Sequence, residues 1–422
     1  MHRSGFLVIF LVIVVITLLL DRYVYKGLKT FTADWASQRR RQMVLLGYVV
    51  ISVGVTVLFL LGIGSFSTAR GMTPFHEWIL SFFITFFITK IFFSLVLLIG
   101  DIGRLFYGIG DNLINHGKRG GAPFFPARRK FISEIAILAA AVPFTGFLYG
   151  MFKGKYDYKL HRETLYFDDL PEAFDGFTIT QLSDIHSGSF DNTDAVQRGI
   201  DLAKAQKSDL YVFTGDLVNN AAWEIEPFIE QFRQIKASYG QFSILGNHDY
   251  GDYIHWNSPE EKAANLEKLK GQHSKLEYRL LLDENVQLEK NGQKISLIGV
   301  QNWGRGFIQI GDLDKALQGV DKDAFKILLS HDPTHWEEKV RHHPAKIHLT
   351  LAGHTHGAQF GVEAGSLRWS PVKYRYLDWA GPAEENGRHL YVNRGFGFLA
   401  FSGRLGIWPE ITVITLKRKV VS

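Results

Sequence analysis

Between residues 184 and 356 of this 422-residue chain lie five short clusters of metal-binding side chains. They are Asp184-Ile185-His186, Gly215-Asp216, Gly246-Asn247-His248-Asp249, His331-Asp332 and Gly353-His354-Thr355-His356. Carboxylate, amide oxygen and neutral imidazole suit divalent Mn, Fe or Zn, and the absence of cysteine removes any soft thiolate ligand. Asp184, His186, Asp216, Asn247, His331, His354 and His356 are more ligands than one ion needs. They fit two ions with one carboxylate between them. In Asp-x-His and His-x-His, a true strand would point both side chains the same way. Two ions roughly 3.5–4 Å apart acidify a bound water, so that hydroxide exists near neutral pH, and clamp the oxygens of a phosphoryl group.

The clusters need elements to carry them. Each follows a short apolar run that reads as a buried strand: Phe177–Leu182, Leu210–Thr214, Phe242–Leu245, Lys326–Leu329 and Ile347–Leu351, with Ile295–Val300 as a sixth. Between them Thr193–Ala205, Ala222–Ser238 and Glu260–Leu269 read as helices. Such alternation predicts an α/β domain of packed sheets and outer helices, with the ligands at strand carboxyl ends.

The first 150 residues are different. Four apolar stretches, at about residues 5–20, 44–64, 78–100 and 131–150, are near or above the ~20 residues a helix needs to cross a bilayer. No small-x-small cleavage site follows Leu20, so the first is read as an uncleaved helix and not a secretory signal. Lys90 and Glu134 would be costly facing lipid and are expected inside the bundle or near an interface, where they could pair. The expected organisation is a transmembrane region 1–152, a polar linker 153–160 and a catalytic domain 161–422.

Charge divides the same way. Residues 1–158 hold 17 Lys/Arg against 7 Asp/Glu, while residues 159–422 hold 30 against 35. The basic excess therefore lies beside the apolar stretches, and the acidic remainder is a poor match for nucleic acid. Six basic residues lie in the first connection, one in the second and six in the third, which places the first and third in the cytoplasm. Both termini and residues 151–422 are then expected outside a cell membrane, in a multi-pass protein. The same clusters also admit a reading as anionic-lipid sites, although orientation alone explains them. Gly120-Gly121, Pro123 and Pro126 predict a loop in the third connection.

Taken together, SDIHSG, TGDLVN, LGNHDY, LSHDP and AGHTHGAQ resemble the calcineurin-like metallophosphoesterase superfamily. The opening LPEAFDGFTITQLSDIHSG is similar to its membrane-attached bacterial branch. The resemblance covers about residues 160–420. It implies two packed β-sheets flanked by helices, a four-layer sandwich. It also implies Asp184, His186 and His356 around one ion, Asn247, His331 and His354 around the other, and Asp216 bridging. His248 would be the leaving-group acid or transition-state donor, and Asp249 a support for its turn. Related phosphatases often carry an aspartate where this chain has Asn219. An amide there, bonded to His248, would leave the imidazole less basic, so that Asn219→Asp should extend activity at alkaline pH. His335, His342, His343 and His348 match no motif position and are expected at helix ends or the surface.

The function so implied is hydrolysis of phosphate mono- or diesters, lipid-linked esters among them, with two divalent ions. The competing reading is a membrane sensor or scaffold that binds a phosphorylated ligand without turnover. A Gly-x-x-x-x-Gly-Lys-Ser/Thr loop, a Gly-x-Ser-x-Gly elbow and a dinucleotide fingerprint are all missing from the sequence, which disfavours a nucleotide-driven motor or a serine hydrolase.

Overall fold

The computed structural model describes residues 3–66, 71–115, 126–365 and 367–419. The chain divides into two units, one of Met1–Ser67 with Trp78–Tyr149, the other of Thr68–Glu77 with Gly150–Ser422. Four helices dominate the first: α1 (Arg3–Phe31), α2 (Gln38–Phe66), α3 (Pro74–Asn115) and α4 (Pro126–Phe152). Each outruns its apolar stretch, because the flanking Arg, Lys and Gln residues are good helix formers and continue the hydrogen-bond ladder into polar surroundings. Among the described residues three spans are long and apolar enough to cross a membrane, Gln38–Ser65, Pro74–Gly110 and Arg129–Phe152. The first expected span falls in α1, whose side chains are described only from Leu11 onward. The expected loop at Gly120-Gly121 and Pro123 lies outside the described residues, and Pro126 opens α4.

Lys90 finds a different partner from the one the sequence suggested. Its ammonium lies 2.8 Å from Asp21 Oδ1 and donates to Ser52 Oγ at 2.6 Å. Tyr48 and Ser52 both donate to the same Asp21 oxygen, at 2.6 and 2.7 Å. Hydrocarbon makes an unpaired charge expensive, and α1 supplies the nearest carboxylate, so Asp21 takes the place proposed for Glu134.

The second unit holds two six-stranded mixed sheets and a small hairpin. In chain order the strands are β1 (Lys159–Phe167), β2 (Thr178–Leu182), β3 (Leu210–Phe213), β4 (Gln241–Ser243), β5 (Arg279–Leu280), β6 (Glu284–Lys290) and β7 (Gln293–Gly299). Then follow β8 (Phe325–Leu329), β9 (Leu349–Ala352), β10 (Val362–Ala364), β11 (Leu367–Trp369), β12 (Gly381–Glu385), β13 (Arg388–Val392) and β14 (Glu410–Arg418). One sheet runs β1-β14-β2-β3-β4-β5 and the other β12-β13-β9-β8-β7-β6. Strands β2, β3, β4 and β5 are mutually parallel, as are β7, β8, β9 and β13.

The two-residue period of a strand sorts side chains into layers. Leu210 and Val212 join Ile327, Leu329, Leu349 and Leu351 in a core shared by both sheets. Tyr211 and Phe213, between them, face a second core with Val196 and Ile200 of α5 (Thr193–Lys204). Leu328 and Ala352 face a third, around Trp336 and Val340. Helix, sheet, sheet, helix is the four-layer arrangement the resemblance implied.

Two expectations need correction here. Ala222–Ser238 is not one helix: a 3₁₀ stretch Ala222–Phe228, with Pro227 inside, passes into a single α turn, Ile229–Phe232. The segment expected as a free polar linker instead forms the 3₁₀ turn Gly154–Tyr156, buried in the second unit. Lys155 there pairs with Asp191 at 2.6 Å.

Candidate metal centre

Six of the seven predicted ligands come together at the carboxyl ends of β2, β3, β8 and β9, and Asn247 follows the end of β4. None of the paired ligands sits on a strand. β2 ends at Leu182 and β9 at Ala352, and Asp184, His186, His354 and His356 follow in left-handed backbone with φ of 52°, 47°, 72° and 51°. Asp216 is left-handed too, at φ 60°. The alternation argument for Asp-x-His and His-x-His therefore fails, and tight turns aim these side chains instead. Such conformations are costly for residues with a Cβ and persist only where the surroundings hold them, commonly at functional sites. Two glycines permit the close approach of these turns. A Cβ on Gly246 would lie 2.3 Å from Asp216 Oδ1, and one on Gly353 would lie 1.9 Å from Ser183 Oγ.

The ligands fall into two triads. Asp184, His186 and His356 form one, and Asp216, His331 and His354 the other, each with ligand atoms within 4.8 Å of one another. Asp216 Oδ2 connects them, 3.1 Å from His331 Nε2 and 3.5 Å from His186 Nε2. His356 Nε2 lies 3.3 Å from Asp184 Oδ1, and His354 Nδ1 lies 3.3 Å from His331 Nε2. Several buried atoms here have no hydrogen-bond partner among the described residues: both nitrogens of His186, His356 Nε2 and Asn247 Oδ1. Asn247 turns its amide nitrogen away, to Tyr253 Oη at 2.7 Å, which leaves the oxygen inward. Buried polar atoms are normally satisfied, so this set fits divalent cations between the triads.

Electrostatics agree. Burial pushes Asp184 up to about 6 and His186 and His354 down to about 3 and 4. Burial also opposes charge on His331, but Asp216 outweighs it and lifts the imidazole to about 10. Asp216 itself stays well below the carboxylate range, because His331 and His248 overcome its burial. The pocket thus draws positive charge to the space beside Asp216.

Supporting contacts fix the ligands. Asp249 accepts from the backbone N–H groups of Gly246, Asp216 and Leu217 at 2.8, 3.0 and 2.9 Å, tying two ligand turns together as expected of a turn support. His248 donates Nδ1–H to the Asn219 main-chain carbonyl at 2.8 Å and stacks on Tyr253. The bond expected from the Asn219 amide is therefore made by its backbone, since the amide nitrogen donates to Ser189 Oγ at 2.8 Å. Ser189 in turn donates to Glu77 Oε1 at 2.7 Å.

Sequence reasoning missed Glu77, Asp332, Tyr376 and Arg404. Asp332 Oδ2 lies 3.3 Å and Tyr376 Oη 2.9 Å from His354 Nε2, which leaves His354 Nδ1 for an ion. Arg404 is fully buried, 3.0 Å from His356 Nδ1, and donates to the Gly397 and Arg394 carbonyls. Asp332 stood beside a motif histidine; the other three carried no local signal. Of the four spare histidines, His335 and His348 are buried and structural, bonded to Ser330 Oγ and to the Lys326 N–H. His343 lies at a helix end and pairs with Asp314.

Residues 177–358 match the sequence profile described as "Calcineurin-like phosphoesterase", and residues 3–155 match "Probable Calcineurin-like phosphoesterase, transmembrane domain". The chain thus carries a calcineurin-like phosphoesterase domain together with a transmembrane phosphoesterase domain. Among individual proteins it is similar to an uncharacterized metallophosphoesterase, YkuE, of Bacillus subtilis, 28% identical over 69% of this chain and 98% of that one. An uncharacterized metallophosphoesterase of Helicobacter pylori is 26% identical over 87% of this chain and 90% of its own. A transmembrane protein with a metallophosphoesterase domain from Danio rerio is 27% identical over 60% of this chain and 55% of its own.

Proposed function

We propose that this membrane protein hydrolyses phosphate mono- or diesters at a centre of two divalent cations. The observation that carries the reading is Asp216 Oδ2, shared between two triads, beside which the His186 nitrogens, His356 Nε2 and Asn247 Oδ1 are buried without a hydrogen-bond partner among the described residues. Asp184, His186 and His356 would hold one cation, and Asn247, His331 and His354 the other. When bound, the pair supplies an acidified water for attack and neutralises charge developing on the phosphoryl oxygens. His248 does the proton work: the Asn219 carbonyl holds its Nδ1–H, and in the imidazolium form Nε2–H gives its proton to the departing oxygen, leaving the neutral ring. Asp249 and the left-handed turns keep the ligands in place before substrate arrives.

The basic first and third connections favour four membrane helices with the phosphoesterase domain outside the cytoplasm. On that topology lipid-linked phosphoesters are the substrates nearest to hand.

The test is purified full-length protein assayed with an aryl phosphate and its diester, after chelation and after readdition of Mn, Fe or Zn. Turnover that vanishes on chelation and returns with metal supports the proposal. Tight metal and phosphate binding without turnover of any ester would instead favour the sensor reading.

A further inference from the structure

The helical unit contains two cavities that share Tyr23 and Lys26 in their walls. The larger, about 630 Å³, is a cleft between α1 and α3 walled by Ile16, Leu19, Leu20, Ile91, Leu95 and Leu98. That volume lies within the range of small-molecule sites. Arg22 and Lys26 stand at one end of it. The smaller cavity, about 100 Å³, is lined by Tyr23, Lys26, Arg104 and Arg129 among others. Asp101 is the one acid among the described residues lining it, and Asp101 is already engaged by Tyr23 Oη at 2.6 Å and by Arg104. Lys26, Arg104 and Arg129 thus leave a net positive pocket at the polar end of an apolar cleft. Partway along the cleft sits Ser94, 7% exposed, whose hydroxyl has no hydrogen-bond partner among the described residues.

We propose that these neighbouring cavities together bind an anionic phospholipid, with an acyl chain in the cleft and the phosphate among Lys26, Arg104 and Arg129. The charge order fits that ligand: apolar walls, then a cationic end. Orientation in the membrane needs basic residues in these connections, but it needs no shaped cavity between them. A freely exchanging annular lipid would need neither the enclosed basic pocket nor a buried, unpaired hydroxyl.

The experiment is native mass spectrometry of the full-length protein released from detergent, titrated with dioleoyl phosphatidylglycerol and, separately, dioleoyl phosphatidylcholine. The variants are Lys26→Gln with Arg129→Gln, and Arg40→Gln as an exposed control on α2. A basic residue at a lipid headgroup contributes about fivefold in affinity, so the double variant should lose roughly 20- to 30-fold for phosphatidylglycerol. Arg40→Gln should bind as wild type does, and phosphatidylcholine should bind more weakly throughout. Circular dichroism and metal content report whether the double variant is folded; Ser94→Leu, which blocks the cleft without removing charge, is the second variant should it fail. Equal binding of the two lipids would overturn the proposal, as would unchanged binding by both cavity variants. Displacement of the lipid by millimolar inorganic phosphate would assign the basic pocket to a free anion and also overturn it.

Discussion

Asp332 offers a sharp test of how the second triad is held. Its two oxygens have separate tasks. Oδ1 accepts from the Thr334 N–H at 2.8 Å and from Thr334 Oγ1 at 2.7 Å, capping the helix Pro333–Glu338. Oδ2 lies 3.3 Å from His354 Nε2. A carboxylate behind a ligating imidazole fixes the tautomer and raises its basicity, and losing one typically costs 10- to 100-fold in metal affinity, about 1.4–2.7 kcal/mol. Asp332→Asn keeps a capping oxygen of equal quality but replaces Oδ2 by an amide donor, so that both the charge and the acceptor beside His354 are lost. Because Tyr376 Oη also reaches His354 Nε2, at 2.9 Å, the loss should sit near the lower figure, roughly tenfold. Asp332→Ala should lose the same affinity and a further ~1 kcal/mol of stability through the missing cap. The assay is chelator competition for Zn or Mn on the purified chain, with thermal melts alongside. Should Asp332→Asn hold both ions within twofold of wild type, the assignment of Asp332 as the orienting partner is wrong. A tenfold loss in Tyr376→Phe would then pass the role to the hydroxyl.

Three further outcomes follow from the same contacts. His248→Ala should lower kcat by roughly 10²- to 10⁴-fold with metal content unchanged, measured by turnover and metal analysis; a parallel loss of metal would refute the proton-transfer role. Asn219→Ala keeps the carbonyl that orients His248, so kcat should stay within about threefold while the domain loses ~1 kcal/mol with the Ser189 bond; a kcat loss as large as that of His248→Ala would contradict this. Glu410 is fully buried and, despite that burial, is drawn from its ordinary 4.5 to about 2, chiefly by Arg394. A depressed carboxylate stabilises the fold above its unfolded pKa and loses that contribution as pH falls through the folded one. The term is about 3 kcal/mol at neutral pH and disappears between about pH 4.5 and 2. Glu410→Gln should therefore melt below wild type at pH 7, with the gap closing toward pH 2; a gap independent of pH would count against it.

Much of this protein was legible in residue order. Short, mostly apolar runs marked β2, β3, β4, β7, β8 and β9, because a strand buried on both faces is predominantly apolar. The ligands declared themselves by type, since few buried environments tolerate Asp, Asn and His together unless something binds there. Other elements gave little local sign. β1, β12 and β13 are stretches of mixed polarity, and β14 lies between β1 and β2 only because the chain returns from the far end of the sequence. The left-handed turns at Asp184, His186, His354 and His356 had no signature either, as their cost is met by packing and hydrogen bonds around them.

Sequence alone settled the chemistry on offer: which atoms were available, in what number, and on which side of the apolar region they lay. Tertiary structure decided how those atoms are used. It chose a backbone carbonyl over an amide for His248, Asp21 over Glu134 for Lys90, and Asp332 and Tyr376 as the backing for His354. The reason is physical. A residue type fixes what a side chain can donate or accept, but which partner it meets depends on distances between segments far apart in the chain, and only folding sets those.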